Sequence, residues 1–236
     1  MNANDPNVAL LEVVAERLGD DLRGEMVFVG GAVAGLLITD PAMPAIRPTE
    51  DVDLLCRVVV LADYRRVETA LRARGFAQDM RPEAPICRWQ VGAVVVDVMP
   101  TLEKILGFAN RWYPLALETA LPVALPSGRL IRLIAAPTFL ATKLEAFDGR
   151  GKGDFLFSHD IGDLLAVVDG RDALLQECRA SPPELRRYLA DRLRGLLALP
   201  LFMDALPGHL PGDAASQERL PELEAKLREI AGLSQP

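Results

Sequence analysis

Asp97 lies in the stretch Val94-Val95-Val96-Asp97-Val98, and this segment restricts the possible folds more than any other. A run of valines of this kind reads as a buried β-strand. A carboxylate inside such a strand is costly unless a cation compensates it. A second acidic pattern narrows the choice. Asp51-Val52-Asp53 opens an apolar run over residues 51–60, and alternate residues of a strand share a face. If the two strands are neighbours, Asp51, Asp53 and Asp97 can form an oxygen-rich pocket of the kind that Mg²⁺ prefers. Gly30-Gly31 lies some twenty residues before the aspartates. Glycine lets the backbone approach a phosphate closely, and a helix starting there offers N–H groups to an anion. A strand edge with solvated acids would explain Asp51 and Asp53 alone, and a plain tight turn would explain the glycines alone. Together the three features point to a site for metal-assisted chemistry on a phosphate compound.

The periodicity predicts the surrounding elements. Leu10, Leu11, Val14 and Leu18 recur at helical spacing over residues 8–18, with a stop at 19–24. Residues 26–29 read as a short buried strand, and 32–37 as a helix after the glycine turn. Residues 39–48 form a loop with three prolines. A surface helix follows over 64–74, stopped by Gly75. Residues 85–90 and 93–98 read as a hairpin around Gly92. Residues 102–120 are partly helical, and 130–133 form a last short strand. From Pro137 onward the chain reads as helical. Ser158 suits an N-cap and Gly170 a helix stop. Ser181-Pro182-Pro183-Glu184 reads as a capping box opening a helix to about residue 197. A Pro/Gly-rich linker over 207–212 leads to a final helix bearing Leu223, Leu227 and Ile230. The expected fold is α+β: a mixed sheet with flanking helices in residues 1–125, then a helical C-terminal domain in 126–236.

Bulk properties set further bounds. The chain has 236 residues and a formal net charge of −7. That balance argues against broad, non-specific binding to nucleic acid, though a local basic patch can still hold one RNA end or a triphosphate. The three cysteines, Cys56, Cys87 and Cys178, show neither metal-site spacing nor a disulfide framework, and a reducing cytoplasm is the expected location. No apolar run is long enough for a membrane span, so no membrane partner is expected.

Other candidate residues have ordinary explanations as well as functional ones. Lys143 suits a triphosphate but equally a solvated helix face. The loop Arg150-Gly151-Lys152-Gly153-Asp154 can reach a phosphate or be plain surface. Asp160 and Asp163 share a helix face at i, i+3 near its start, where acids already suit the dipole. His159 is a potential titrating base beside a cap. Arg186, Arg187, Arg192 and Arg194 can grip RNA or simply face solvent. Arg47, just before the acids, can pair with them or with phosphate.

The strings Gly30-Gly31, Arg47-Pro48-Thr49-Glu50-Asp51-Val52-Asp53 and the isolated Asp97 resemble the DNA-polymerase-β-type nucleotidyltransferase superfamily. Lys143-Leu144-Glu145-Ala146-Phe147, Arg150 and His159-Asp160-Ile161-Gly162-Asp163-Leu164 resemble its AbiEii-like branch, toxins of type IV toxin–antitoxin and phage-defence systems. The resemblance spans roughly residues 26–171. It departs from the family pattern in Gly-Gly for the commoner Gly-Ser, in His159 at a usually basic position, and in the extra stretch 151–157. It implies transfer of an NMP from ATP, GTP, CTP or UTP to a hydroxyl, with one or two Mg²⁺ ions and release of pyrophosphate. On it, Asp51, Asp53 and Asp97 hold metal; Gly30, Gly31, Arg47, Thr49 and Lys143 hold nucleotide or phosphate; Arg150, His159, Asp160 and Asp163 belong to the later motif. The implied acceptor is RNA, such as a tRNA end, and the implied protein partner is a cognate antitoxin. A small-molecule nucleotidyltransferase of the antibiotic-modifying kind and a non-catalytic nucleotide-binding module fit the same residues.

Overall fold

The two acid-bearing runs form neighbouring strands at the middle of a mixed sheet. In the computed structural model, which describes residues 5–107 and 110–234, seven strands form: β1 (Met26–Val29), β2 (Asp51–Cys56), β3 (Ala77–Gln78), β4 (Arg88–Val91), β5 (Val94–Pro100), β6 (Leu121–Ala124) and β7 (Leu130–Leu133). Their order is β3-β4-β5-β2-β1-β7-β6. The β2–β5 and β1–β7 pairs are parallel, and the other neighbours are antiparallel. Apolar, β-branched sequence explains the central positions: Val52, Leu54, Val96 and Val98 are fully buried. β6 sits at an edge, where Pro122 costs little because an edge strand need not donate every N–H.

The chain divides into two compact units. The first comprises Asp5–Val33 and Arg47–Ala135 and contains the whole sheet. Its helix Val8–Glu25 breaks at Gly19 (φ 67°, ψ 169°) rather than ending there. Arginines satisfy carbonyls that the break would otherwise leave without partners: Arg74 Nε donates to Leu18 O at 2.7 Å, and Arg23 Nη1 to Ala15 O at 2.9 Å. Gly92 (φ 59°) takes the first position of the two-residue turn joining β4 to β5, where a positive φ matches the twist of the strands.

The second unit comprises Ala34–Ile46 and the chain from Ala136 onward, and it is built of helices. Its main helices are Ala136–Arg150, His159–Gly170, Pro183–Leu197 and Leu220–Ala231. The segment after the glycine turn docks within this unit. Thr39 N and Asp40 N donate to Gly170 O at 2.8 and 2.9 Å. A Cβ on Gly170 would lie 2.8 Å from side-chain atoms of both Ile38 and Met43, so glycine is needed for this close approach. Asp169, almost fully buried, accepts from Arg219 Nε at 2.9 Å.

Several details differ from the sequence reading. The expected helix over 32–37 is a 3₁₀ turn, Gly31–Val33, followed by one α-turn, Ala34–Leu37. The strand expected over 51–60 stops at Cys56. Ser181 forms no capping box; Pro182 is the N-cap, and the Ser181 hydroxyl donates to Glu177 O of the preceding helix at 2.8 Å. The linker at 207–212 begins inside a 3₁₀ turn, Leu206–His209, with His209 Nε2 donating to Phe155 O at 2.6 Å. In the region 102–120, two short helices form, Glu103–Leu106 and Tyr113–Thr119, and residues 108–109 lie outside the described ones. β3 and β6 were not anticipated, while the helices Leu174–Ala180 and Pro200–Ala205 fall within the helical stretch expected after Pro137 without having been delimited there. Among the described residues, no helix is long and apolar enough to cross a membrane.

Candidate metal centre

Strand register brings the three aspartates together. Asp53 is paired with Asp97 across β2 and β5, so the two side chains share a face. Asp51, two residues earlier, lies on that face as well. One carboxylate oxygen from each of Asp51, Asp53 and Asp97 lies within 4.8 Å of the others. Two unit charges at that spacing repel by about 3–4 kcal/mol at an effective dielectric of about 20, so the cluster requires positive charge. All three groups offer hard oxygens, which would suit Mg²⁺ or Mn²⁺ and not a thiolate-seeking ion. Cys87, next to this face in sequence, stays a thiol: burial, then the charge of Asp97, pushes its pKa up to about 12.

The glycine turn also shapes the cluster. Gly30 follows β1 with φ 73°, a left-handed conformation that favours glycine. A Cβ there would lie 1.8 Å from Asp53 Oδ2 and 2.6 Å from Asp53 Cγ. The absent side chain of Gly30 is therefore the space that the Asp53 carboxylate occupies. Gly31 opens a 3₁₀ turn of three residues, too short to develop much of a dipole.

Two residues that the sequence reading overlooked hold this site in shape. Arg88 is directly opposite Asp97 across the β4–β5 ladder. Its Nε donates to Asp97 Oδ1 at 2.9 Å and its Nη2 to Asp97 Oδ2 at 2.7 Å, a bidentate fork. The same Nη2 is 3.8 Å from Asp51 Oδ2. Hydrogen bonding to Asp97 raises the guanidinium pKa further above its ordinary value. A basic residue six before the valine run, across a hairpin turn, is a signal that the sequence did contain. The second residue is Asn7, fully buried. Its Nδ2 donates to Arg47 O at 3.2 Å, and its Oδ1 accepts from Thr49 N at 2.8 Å. This clamp sets the approach to β2. Thr49 Oγ1 donates to Asp51 O at 3.2 Å, directly behind the first aspartate. Arg47 is half-buried beside this clamp.

The later motif forms its own cluster in the helical unit. Lys143 is buried; its Nζ donates to Asp160 Oδ1 at 3.2 Å and to Asp163 Oδ2 at 2.6 Å. Arg150 Nε and Nη2 each donate to the Asp160 carboxylate at 2.8 Å. Burial alone would raise the Asp160 pKa, but Arg150 and Lys143 outweigh it and hold the group below the usual carboxylate range. Asp160 thus pairs with two cations in its ionised form. His159 is exposed at the first position of its helix, behind the Ser158 cap, whose Oγ accepts from Ile161 N at 3.4 Å. The loop after Arg150 is anchored by Phe155, whose ring lies 5.2 Å from Phe147 and 5.7 Å from Phe202.

No protein-family model matches this chain, and a search of curated proteins finds no match to it.

Proposed function

We propose that the sheet unit is the catalytic core of a divalent-metal-dependent nucleotidyltransferase. The observation that supports this reading best is the convergence of Asp51, Asp53 and Asp97 within 4.8 Å on one face of the central strands, with Asp53 seated on Gly30. These three aspartates would hold the metal. When bound, Mg²⁺ supplies charge neutralisation at the phosphates and lowers the pKa of an attacking hydroxyl. In the proposed reaction an acceptor hydroxyl oxygen attacks the α-phosphorus of an NTP. The bond from that phosphorus to the bridging oxygen breaks, pyrophosphate leaves, and the hydroxyl proton passes to solvent. The protein's share is positioning: β2 and β5 fix the carboxylates, and the Asn7 clamp fixes the chain leading into β2. The AbiEii-like resemblance makes RNA the first acceptor to test, and a cognate antitoxin the partner to seek.

A second reading has one observation in its favour. Arg88 already neutralises Asp97 through two hydrogen bonds, which would suffice to keep that acid in a buried strand of a non-catalytic module. Incubation with Mg²⁺, each labelled NTP and total RNA separates the readings. Label on RNA supports the toxin-like enzyme. Label on a small molecule alone indicates an antibiotic-type transferase. Nucleotide binding without transfer indicates the silent module. Asp51→Asn should abolish labelling with the fold retained; undiminished transfer by that variant would remove the metal centre from the mechanism.

A further inference from the structure

Arg88 performs a task that the proposed chemistry cannot leave in place. Its fork covers both oxygens of Asp97, and its Nη2 leans toward Asp51. Three carboxylates and one guanidinium leave a formal charge of −2 on these four side chains, which one divalent cation would cancel. The ion and the guanidinium nevertheless seek the same Asp97 oxygens. The Arg88 side chain is 28% exposed and that of Asp97 12%, so the arginine has a solvent-facing side toward which to turn. A guanidinium turned away from one oxyanion binds best to another of similar geometry, and a phosphate oxygen pair has that geometry.

We infer that Arg88 is the exchangeable cation of this centre: it holds Asp97 while no ion is bound, and moves to the triphosphate when a divalent ion loads. This inference rests on the nucleotidyltransferase reading and adds a residue and a sequence of events to it. Ion and nucleotide then assist one another, because each relieves the competition that Arg88 imposes on the other. The ion alone binds weakly, and the ion with triphosphate binds well.

The test is the binding of Mn²⁺, followed by electron paramagnetic resonance, and of a non-hydrolysable NTP analogue, followed by calorimetry, in the wild type and in Arg88→Gln. Loss of the competing charge should tighten Mn²⁺ binding in the absence of nucleotide by about tenfold or more. The same substitution should weaken analogue binding in saturating Mn²⁺ by about tenfold, the value of a lost charge-assisted contact. A purely structural arginine would weaken both. Unchanged or weaker Mn²⁺ binding overturns the inference, and so does unchanged analogue binding. If neither folded protein binds Mn²⁺, and Asp53→Asn changes nothing, the metal-centre reading itself fails. Should Arg88→Gln not fold, the wild type still decides the matter. On Mg²⁺ titration the Arg88 Nε–H resonance should shift and exchange faster with water. An unmoved Arg88 signal, while backbone signals of β2 and β5 shift, overturns the exchange.

Discussion

At the scale of single residues, Gly30 and Asp53 are one device. The backbone turns left-handed at Gly30, and the carboxylate fills the space where a side chain would be. Gly30→Ala should cost more than about 1 kcal/mol in urea denaturation, because alanine is strained at positive φ and its Cβ displaces Asp53. The same variant should lose Mn²⁺ affinity, and retention of full affinity would mean that Asp53 contributes no ligand. Asn7 acts on the backbone leading into the site. Asn7→Ala removes the hydrogen bonds to Arg47 O and Thr49 N, and should cost about 1–3 kcal/mol by the same measurement. Asp97 teaches the converse lesson. Its cost in a valine strand correctly called for a cation, but Arg88, opposite on the hairpin, already supplies one.

At the scale of elements, the helices Ala136–Arg150 and His159–Gly170 are tied by the buried cluster of Lys143, Asp160 and Asp163. Lys143→Met removes the cation while leaving buried acid behind, and should destabilise the helical unit by about 3–5 kcal/mol, measured by denaturant melts. The cluster also sets an acid limit. Arg150 and Lys143 depress the Asp160 pKa below its unfolded value, so the stability it contributes is present above about pH 4 and is lost as pH falls through the lower folded value. Arg150→Gln removes part of that depression. Its acid-unfolding midpoint, followed by circular dichroism, should therefore move to higher pH than in the wild type; a midpoint that stayed or fell would show that Arg150 does not govern the titration.

At the scale of the whole molecule, the metal-centre reading predicts linkage between ion and stability. An ion that binds only the folded state at a hundred times its dissociation constant adds about 2.7 kcal/mol. For a chain of this size each kcal/mol moves the melting temperature by about 2–4 °C. Calorimetry with and without Mn²⁺ should show this rise in the transition of the sheet unit, and Asp51→Asn should remove it. The net charge of −7 adds a further expectation: binding to unrelated duplex nucleic acid at physiological salt should be weak, with any RNA acceptor held by local contacts.

Periodicity and local chemistry were enough to define much of this chain. The buried strand β1, the short strand β7, the hairpin turning at Gly92, the Ser158 cap and the shared face of Asp51 and Asp53 all follow from patterns within a few residues, because strand alternation and turn stereochemistry are local. What those patterns could not determine was pairing between distant segments. The β2–β5 register that sets Asp53 beside Asp97, the carboxylate resting on Gly30 and the Asn7 clamp join residues 23 to 44 positions apart in sequence. Arg88 opposite Asp97 needed only the hairpin register, yet its meaning depended on knowing that the acid cluster existed. The docking of Ala34–Ile46 among the C-terminal helices was equally hidden, since a proline-rich loop carries no periodicity that names its partner. Local rules state which face of an element seeks burial or charge; which other face answers it is decided when the whole chain packs together.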